Sequence, residues 1–420
     1  MLLKNCKIIT AKDIISANIL IEDGKIVKIG RGLKDKEVIN VKGKPVIPGL
    51  VDVHVHMRDF QQRYKEDFFS GSKAALAGGV TTFVDMPNTL PPITDERTFQ
   101  RRLKEAGAKS VADFGINFGI TSANLDEMEK VDPVAYKIYM DRTLGEIGDE
   151  VLEEAMSRCN GKMAFHAEEG AMIPDKLLEE FLDHARVRGP EVEEAAVRKT
   201  SELAKSMKRQ VHLCHLSLGS SLEYLNEYTT CEVTPHHLFL TEACLKEMEG
   251  LAKTNPPLRS EKDVKTLLVA LKEGKIDIVA SDHAPHEASE KEAGPAEAPP
   301  GAPNLEVMLR LLLTLVNKRV ITINRLVEVA CENPAEIFGI KKGRIEVGMD
   351  ADLVVLNLKA RGRIEGDEFF SKAKYTPFEG WKVTGNVEKV ILRGEVAYED
   401  GDICVKRGYG EPVTKEDRIK

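Results

Sequence analysis

Apolar and polar residues alternate with a period of two at both ends of the chain. Segments 2–10, 17–22 and 25–30 carry this pattern, and Asp23-Gly24 reads as a hairpin turn. Segments 344–347, 351–356, 387–392 and 395–398 alternate in the same way, with Arg393-Gly394 as a further turn. Strands at the two ends predict one small β-sandwich module, built from residues 1–46 and 341–420, closing around a central domain.

The middle, residues 47–340, has another rhythm. Apolar, strand-like runs fall at 46–56, 80–87, 112–120, 135–140, 162–168, 210–217, 229–235 and 276–282, eight in all. Helical patterns such as 95–106 and 191–208 stand between most of them. The second of these is acidic early and basic late, as the helix dipole prefers. Eight βα units in a row predict an α/β fold, a TIM (β/α)8 barrel. The stretch 287–303, rich in Ala, Glu, Pro and Gly, follows the eighth strand and reads as a loop or lid.

Composition narrows the class. The 420 residues are 42% hydrophobic and 30% charged, as in globular domains, and the net charge is −8. With no long basic run, a nucleic-acid partner is not expected. No segment approaches the roughly 18 apolar residues of a membrane span, and the start lacks a signal peptide's apolar region. The expectation is a cytoplasmic protein acting on a small molecule, with a homo-oligomer compatible. The seven cysteines are scattered and suggest neither a zinc ribbon nor a disulfide framework.

Residues with ligand chemistry gather at the C-terminal ends of the predicted strands, where such barrels carry their active sites. The first strand ends in His54-Val55-His56. Two residues apart on a strand, both imidazoles face one side, and imidazole is a favoured zinc ligand. Such a pair also arises without a metal, so alone it leaves both readings open. His166 and His215 stand at the ends of the fifth and sixth strands. A single His in an apolar strand is ordinarily a hydrogen-bonded core residue, but recurrence at equivalent strand ends favours a shared site. Asp282 follows the buried run of strand eight. A carboxylate there is costly unless paired or metal-bound. It suits a metal ligand that is also the general base, with a helix N-cap as the competing reading. Lys137 lies inside the fourth strand. An ammonium cannot bind a cation. A buried Lys of lowered pKa, however, holds more neutral amine, which can add carbon dioxide to give an anionic carbamate. A Lys that snorkels to solvent is the competing reading.

Several runs taken jointly resemble the dihydroorotases of the amidohydrolase superfamily. They are PGLVDVHVHMR at 48–58, DMPNT at 85–89, YKIY at 136–139, HAE at 166–168, HLCH at 212–215, CEVTPHHL at 231–238 and SDHAPH at 281–286. The late run KGRIEVGMDADLVV at 342–355 looks like that superfamily's return into its small β-module. The resemblance implies two zinc ions, one held by His54, His56 and Asp282, the other by His166 and His215. Lys137, as N6-carboxylysine formed with carbon dioxide, would bridge them. It implies the reversible cyclisation of N-carbamoyl-L-aspartate to L-dihydroorotate, the third step of pyrimidine biosynthesis. Arg58, Asn88 and His286 match the family's clamp for the substrate carboxylate. Asn255, Pro300 and Gly301 match positions that contact the ring. Thr143 matches a loop Thr that some members fold over the substrate, against an ordinary loop residue. Glu232 and His237 fit either supports behind the ligands or plain core residues. The chain departs from the pattern after Arg58, where many members continue Glu-Pro-Gly and this one reads DFQQRY at 59–64.

Two rival readings remain. An allantoinase or hydantoinase-type enzyme would use the same metals, but a neutral ring gives no reason for a guanidinium at Arg58. A non-catalytic assembly protein of the same fold would be expected to have lost ligands, and all of them are present here.

Overall fold

In the computed structural model, residues 1–414 are described. The strands, in chain order, are β1 (Leu2–Ile9), β2 (Ile14–Glu22), β3 (Lys25–Gly30), β4 (Val38–Asn40), β5 (Pro45–Pro48), β6 (Leu50–Val55), β7 (Val80–Asp85), β8 (Asp113–Ile116), β9 (Phe118–Gly119), β10 (Ala135–Tyr139), β11 (Lys162–His166), β12 (Val211–Leu213), β13 (Thr229–Val233), β14 (Ile278–Val279), β15 (Leu353–Arg363), β16 (Lys382–Leu392), β17 (Glu395–Glu399) and β18 (Asp402–Ile403).

Strands β6 to β14 pair in parallel and close into a TIM barrel. Closure comes from the bridge Val55↔His283, with His56 N donating to His283 O at 2.8 Å. The third barrel strand is broken at Asn117. Its N–H reaches Asp85 O (2.9 Å) while its side-chain Oδ1 accepts from Ala135 N (3.1 Å), so the break still joins both neighbours. The later strands are shorter than the apolar runs suggest: 210–217 yields only Val211–Leu213, and 276–282 only Ile278–Val279. Beyond those points the chain leaves the ladder to deliver side chains to the barrel mouth.

Both chain ends enter one sheet, in the order β18-β17-β16-β15-β5-β1-β2-β3 with β4 beside β1. Alternation explains why both its faces are apolar. Leu353, Val355, Val46 and Ile391 join Leu3, Ile8 and Ile19 in the module's own core. Val354, Leu356, Ile47 and Val390 pack into the barrel's core instead. Asp23-Gly24 and Arg393-Gly394 form the expected turns, with positive φ at all four residues (48°, 76°, 45° and 80°), as a type I′ hairpin requires. The strand expected at 344–347 does not form. Gly343 and Gly348 bend the chain there at φ 72° and 91°, and Lys342 anchors it to carboxylates instead.

Helices cover the barrel. Glu96–Lys109 starts on Asp95, whose side chain accepts from Thr98 N (2.7 Å). Pro190–Met207 carries Pro at its first position. The stretch read as a loop or lid contains a short helix, Ala288–Lys291, and folds back on the barrel mouth. Among the described residues, no helix is long and apolar enough to cross a membrane.

Candidate active site

A cavity of about 250 Å³ opens at the C-terminal end of the barrel. His54, His56, Arg58, Asn88, Thr143, His166, His215, Asn255, Asp282, His286, Pro300 and Gly301 all line it. Residues far apart in sequence meet here because each follows a parallel strand, and parallel strands end on one face. Several arrive on backbone that L-residues rarely adopt: φ is 52° at Arg58, 35° at His215 and 45° at Asp282.

The floor is made of imidazoles and carboxylates. Asp282 Oδ1 lies 3.2 Å from His56 Nε2 and 3.4 Å from His54 Nε2. His166 Nδ1 faces His215 Nε2 at 3.0 Å. Behind the first pair, His54 Nδ1 meets the Glu232 carboxylate, and His56 Nδ1 donates to Asn88 Oδ1 at 2.8 Å. Glu232 also accepts from His212 Nε2 (3.1 Å) and His215 N (3.2 Å), so one buried carboxylate orients three groups. His237 stands further back, bonded to Thr234 Oγ1 and Pro256 O.

Burial sets the charge state. It lowers the pKa of His54, and of His56 and His215 well below the ordinary histidine value, with Arg58 adding to the effect at His56 and His166 at His215. Each shift favours the neutral ring, which has a lone pair to offer. Burial raises the Asp282 carboxyl. At Glu232 burial acts the same way, but His54 and His212 overcome it and hold the group low.

The donor set fits a metal ion. The ligand atoms of His54, His56 and Asp282 lie within 4.8 Å of one another, and so do those of Asp141, His166 and Glu168. His215 Nδ1 is buried without a partner. Lys137 is fully buried, so it does not snorkel. Its Nζ sits 2.8 Å from Cys214 Sγ, and its charge is close enough to depress the pKa values of His54, His56 and His215.

The opposite wall is cationic. Arg58 donates from Nε to Pro285 O (3.1 Å) and from Nη2 to His286 Nε2 (3.0 Å). Lys65 Nζ approaches His286 Nδ1 at 3.0 Å. Burial, Arg58 and Lys65 push the His286 pKa well down, so a neutral ring lies between two cations. Pro300 and Gly301 close the cavity from the 287–303 stretch. Gly301 has φ 135°, and a Cβ there would lie 2.5 Å from Ala284 O, so only glycine fits.

Some residues of the cavity were not singled out from the sequence. Asp141 accepts from Thr143 Oγ1 (2.7 Å) and from Arg188 Nη2 (3.1 Å), and Arg188 also pairs with Glu168 behind His166. With its amide turned to suit its neighbours, Asn255 accepts from Arg188 as well. Asp141 and Glu168 were within reach of spacing, four residues after Lys137 and two after His166. Arg188 gave no signal, since it ends the helix Phe181–Val187 and reaches the site only through packing. Tyr139 and Gln62 also line the cavity.

Comparison with known proteins adds four findings. Residues 46–397 match the model of the amidohydrolase family. The chain is similar to a dihydroorotase of Methanothermobacter thermautotrophicus, 41% identical over 98% of this chain and 97% of that one. It is similar to another of Pyrococcus horikoshii, 43% identical over 98% and 94%. Among solved structures it resembles the L-hydantoinase (dihydropyrimidinase) of Arthrobacter aurescens. There the TM-score is 0.94 at 31% identity, over 99% of each chain.

Proposed function

Because the chain belongs to the amidohydrolase family, on its dihydroorotase branch, we propose that it interconverts N-carbamoyl-L-aspartate and L-dihydroorotate. The observation that carries this reading is Arg58. A buried guanidinium beside a neutral His286 faces a cavity of about 250 Å³, below the roughly 300–1,000 Å³ usual for drug-sized ligands. A compact substrate with a free carboxylate suits both the size and the charge.

His54, His56 and Asp282 would hold one zinc ion and His166 and His215 a second, with Lys137, carboxylated on Nζ, between them. Bound there, the metals would supply Lewis acidity toward the amide carbonyl. The chain's own groups do the rest. Arg58 and His286 fix the carboxylate, and so the ring, in one orientation. Asn88 keeps His56 in the tautomer with Nδ1 protonated, and Glu232 does the same for His54. In ring opening Asp282 takes the proton of the attacking water and passes it to the departing ring nitrogen. Its raised pKa suits that exchange. In ring closure the same carboxyl runs the transfer backwards. Asn255, Pro300 and Gly301 enclose the ring, and Thr143 stands at the cavity edge.

The solved structures it resembles include hydantoinases, which favours a second reading as an enzyme of neutral cyclic ureides. An assay of dihydroorotate, allantoin and dihydrouracil side by side separates the two. Turnover of dihydroorotate far above the others is expected; a preference for dihydrouracil or allantoin overturns the reading.

A further inference from the structure

His286 stands between two cations and can satisfy only one of them. Arg58 Nη2 lies 3.0 Å from its Nε2, and Lys65 Nζ lies 3.0 Å from its Nδ1. Both cations donate hydrogen bonds and accept none. A protonated ring would set an N–H against a cation on each side, and burial, Arg58 and Lys65 together favour the neutral form. A neutral imidazole has one lone pair and one N–H. The position of that hydrogen therefore decides which cation has a partner.

The two nitrogens have different surroundings. Beside Nε2 stands an acceptor, Pro300 O, at 3.1 Å. Beside Nδ1, Glu290 Oε2 is 3.7 Å away, too far for a hydrogen bond, and Glu290 is already paired with Lys65 at 2.7 Å. With the hydrogen on Nδ1, Arg58 has its acceptor, but an N–H faces the Lys65 ammonium. With the hydrogen on Nε2, Lys65 donates to Nδ1, Nε2 has Pro300 O to donate to, and Arg58 Nη2 loses that acceptor. A carboxylate on Arg58 supplies another and tips the balance to the second form. An anion taken by Nη2 also arrives next to Nε2, where an N–H attracts it and a lone pair repels it. Lys65 is held in place for this. Its side chain is buried, its N–H donates to Gln62 O (2.9 Å), and Asp59 N donates to Glu66 O (3.0 Å).

We propose that Lys65 is a positioning residue of the substrate clamp: by donating to Nδ1 it places the His286 hydrogen on Nε2 and frees Arg58 for the substrate carboxylate. This rests on the proposed activity and deepens it, by naming the group that lets Arg58 and His286 serve one anion together. Lys65 acts through His286, so its effect falls on binding.

The test compares Lys65→Met with Glu290→Gln. Lys65→Met removes the donor and leaves Glu290 free to attract a hydrogen on Nδ1. KM for dihydroorotate is expected to rise about tenfold, the loss of about one hydrogen bond, with kcat and zinc content little changed. Glu290→Gln breaks the ion pair but spares the contact between Lys65 and His286, and should keep KM within about twofold of the wild type. A Lys65 that only holds the helix Ala288–Lys291 through Glu290 would give both variants the same loss, and that result overturns the proposal. A second measurement reads the hydrogen on the wild type itself. It is NMR of isotope-labelled histidine nitrogens in protein saturated with the equilibrium mixture of dihydroorotate and carbamoyl aspartate, with the His286 signals assigned by their loss in His286→Gln. Hydrogen on Nε2 is expected; hydrogen on Nδ1 overturns the proposal even where Lys65→Met does not fold. A wild type that does not interconvert the two compounds fails the activity, and the proposal with it. An active wild type with unaltered KM in Lys65→Met fails Lys65 alone.

Discussion

Under the proposed function, Lys137 would serve the metals and Arg58 the substrate. Lys137 is fully buried in β10, close enough to His54, His56 and His215 for its charge to lower their pKa values. An ammonium there would oppose any cation at the histidines, whereas a carbamate on the same nitrogen would attract one. Lys137→Ala is therefore expected to lose bound metal and activity together, with partial recovery on adding short carboxylic acids. Elemental analysis checks this, and full zinc occupancy in the variant would sink the bridging role. Arg58 would act on the substrate instead. Charge-assisted hydrogen bonds contribute about 1.5–3 kcal/mol, so Arg58→Ala should raise KM for dihydroorotate by about ten- to a hundredfold without removing metal. Unchanged kinetics would remove the carboxylate assignment. Both residues were legible from the chain, because strand position and two-residue spacing fix which way a side chain points. Asn88, expected near the substrate carboxylate, lines the cavity with its oxygen on His56, a partner that spacing does not reveal.

The segments that wall the cavity depend on a buried lysine. Lys291, in the helix Ala288–Lys291, donates from Nζ to Pro299 O (2.8 Å), Gly301 O (2.8 Å) and Lys253 O (3.3 Å). It thus joins the Pro300-Gly301 wall to the segment that runs from the turn Glu249–Ala252 to Asn255. Burial, with Lys253 and Arg58 nearby, lowers its pKa from 10.5 to about 7. A folded-state pKa below the unfolded one means that the unfolded chain binds the extra proton between those values. Stability should therefore rise with pH from about 7 toward 10.5, and the charged form should cost most below 7. Thermal midpoints at pH 7 and pH 9 check this: Lys291→Met should show a smaller rise than the wild type. Equal slopes would exclude Lys291 as the source. From the sequence this stretch looks like an unstructured lid, since its Ala, Pro and Gly content hides one lysine that finds three carbonyls only after folding.

The C-terminal part of the end-built sheet is joined to the barrel by a buried ionic cluster. Lys342 Nζ contacts Asp113 (2.7 Å), Asp350 (2.7 Å) and Asp352 (2.9 Å), and Arg393 adds a second cation on Asp113. Asp113 begins barrel strand β8, Asp352 precedes β15, and Arg393 lies in the β16–β17 turn. Removing one partner of a buried pair typically costs about 3–5 kcal/mol. Lys342→Met should thus destabilise the whole molecule by that order in denaturant melts, while the variant still folded at 25 °C keeps near-native KM. An unchanged midpoint would mean that the cluster does not couple sheet and barrel. Alternation of period two, eight apolar runs and ligand-type residues at their ends were enough to read out the barrel, the end-built sheet and the metal-ligand candidates. These are local properties, in which neighbours along the chain set direction and burial. The partners of Glu232, Arg188, Lys291 and Lys342, and the early ends of β12 and β14, depended on the folded whole. They arise between segments that local pattern does not pair, and only closure of the barrel brings them together.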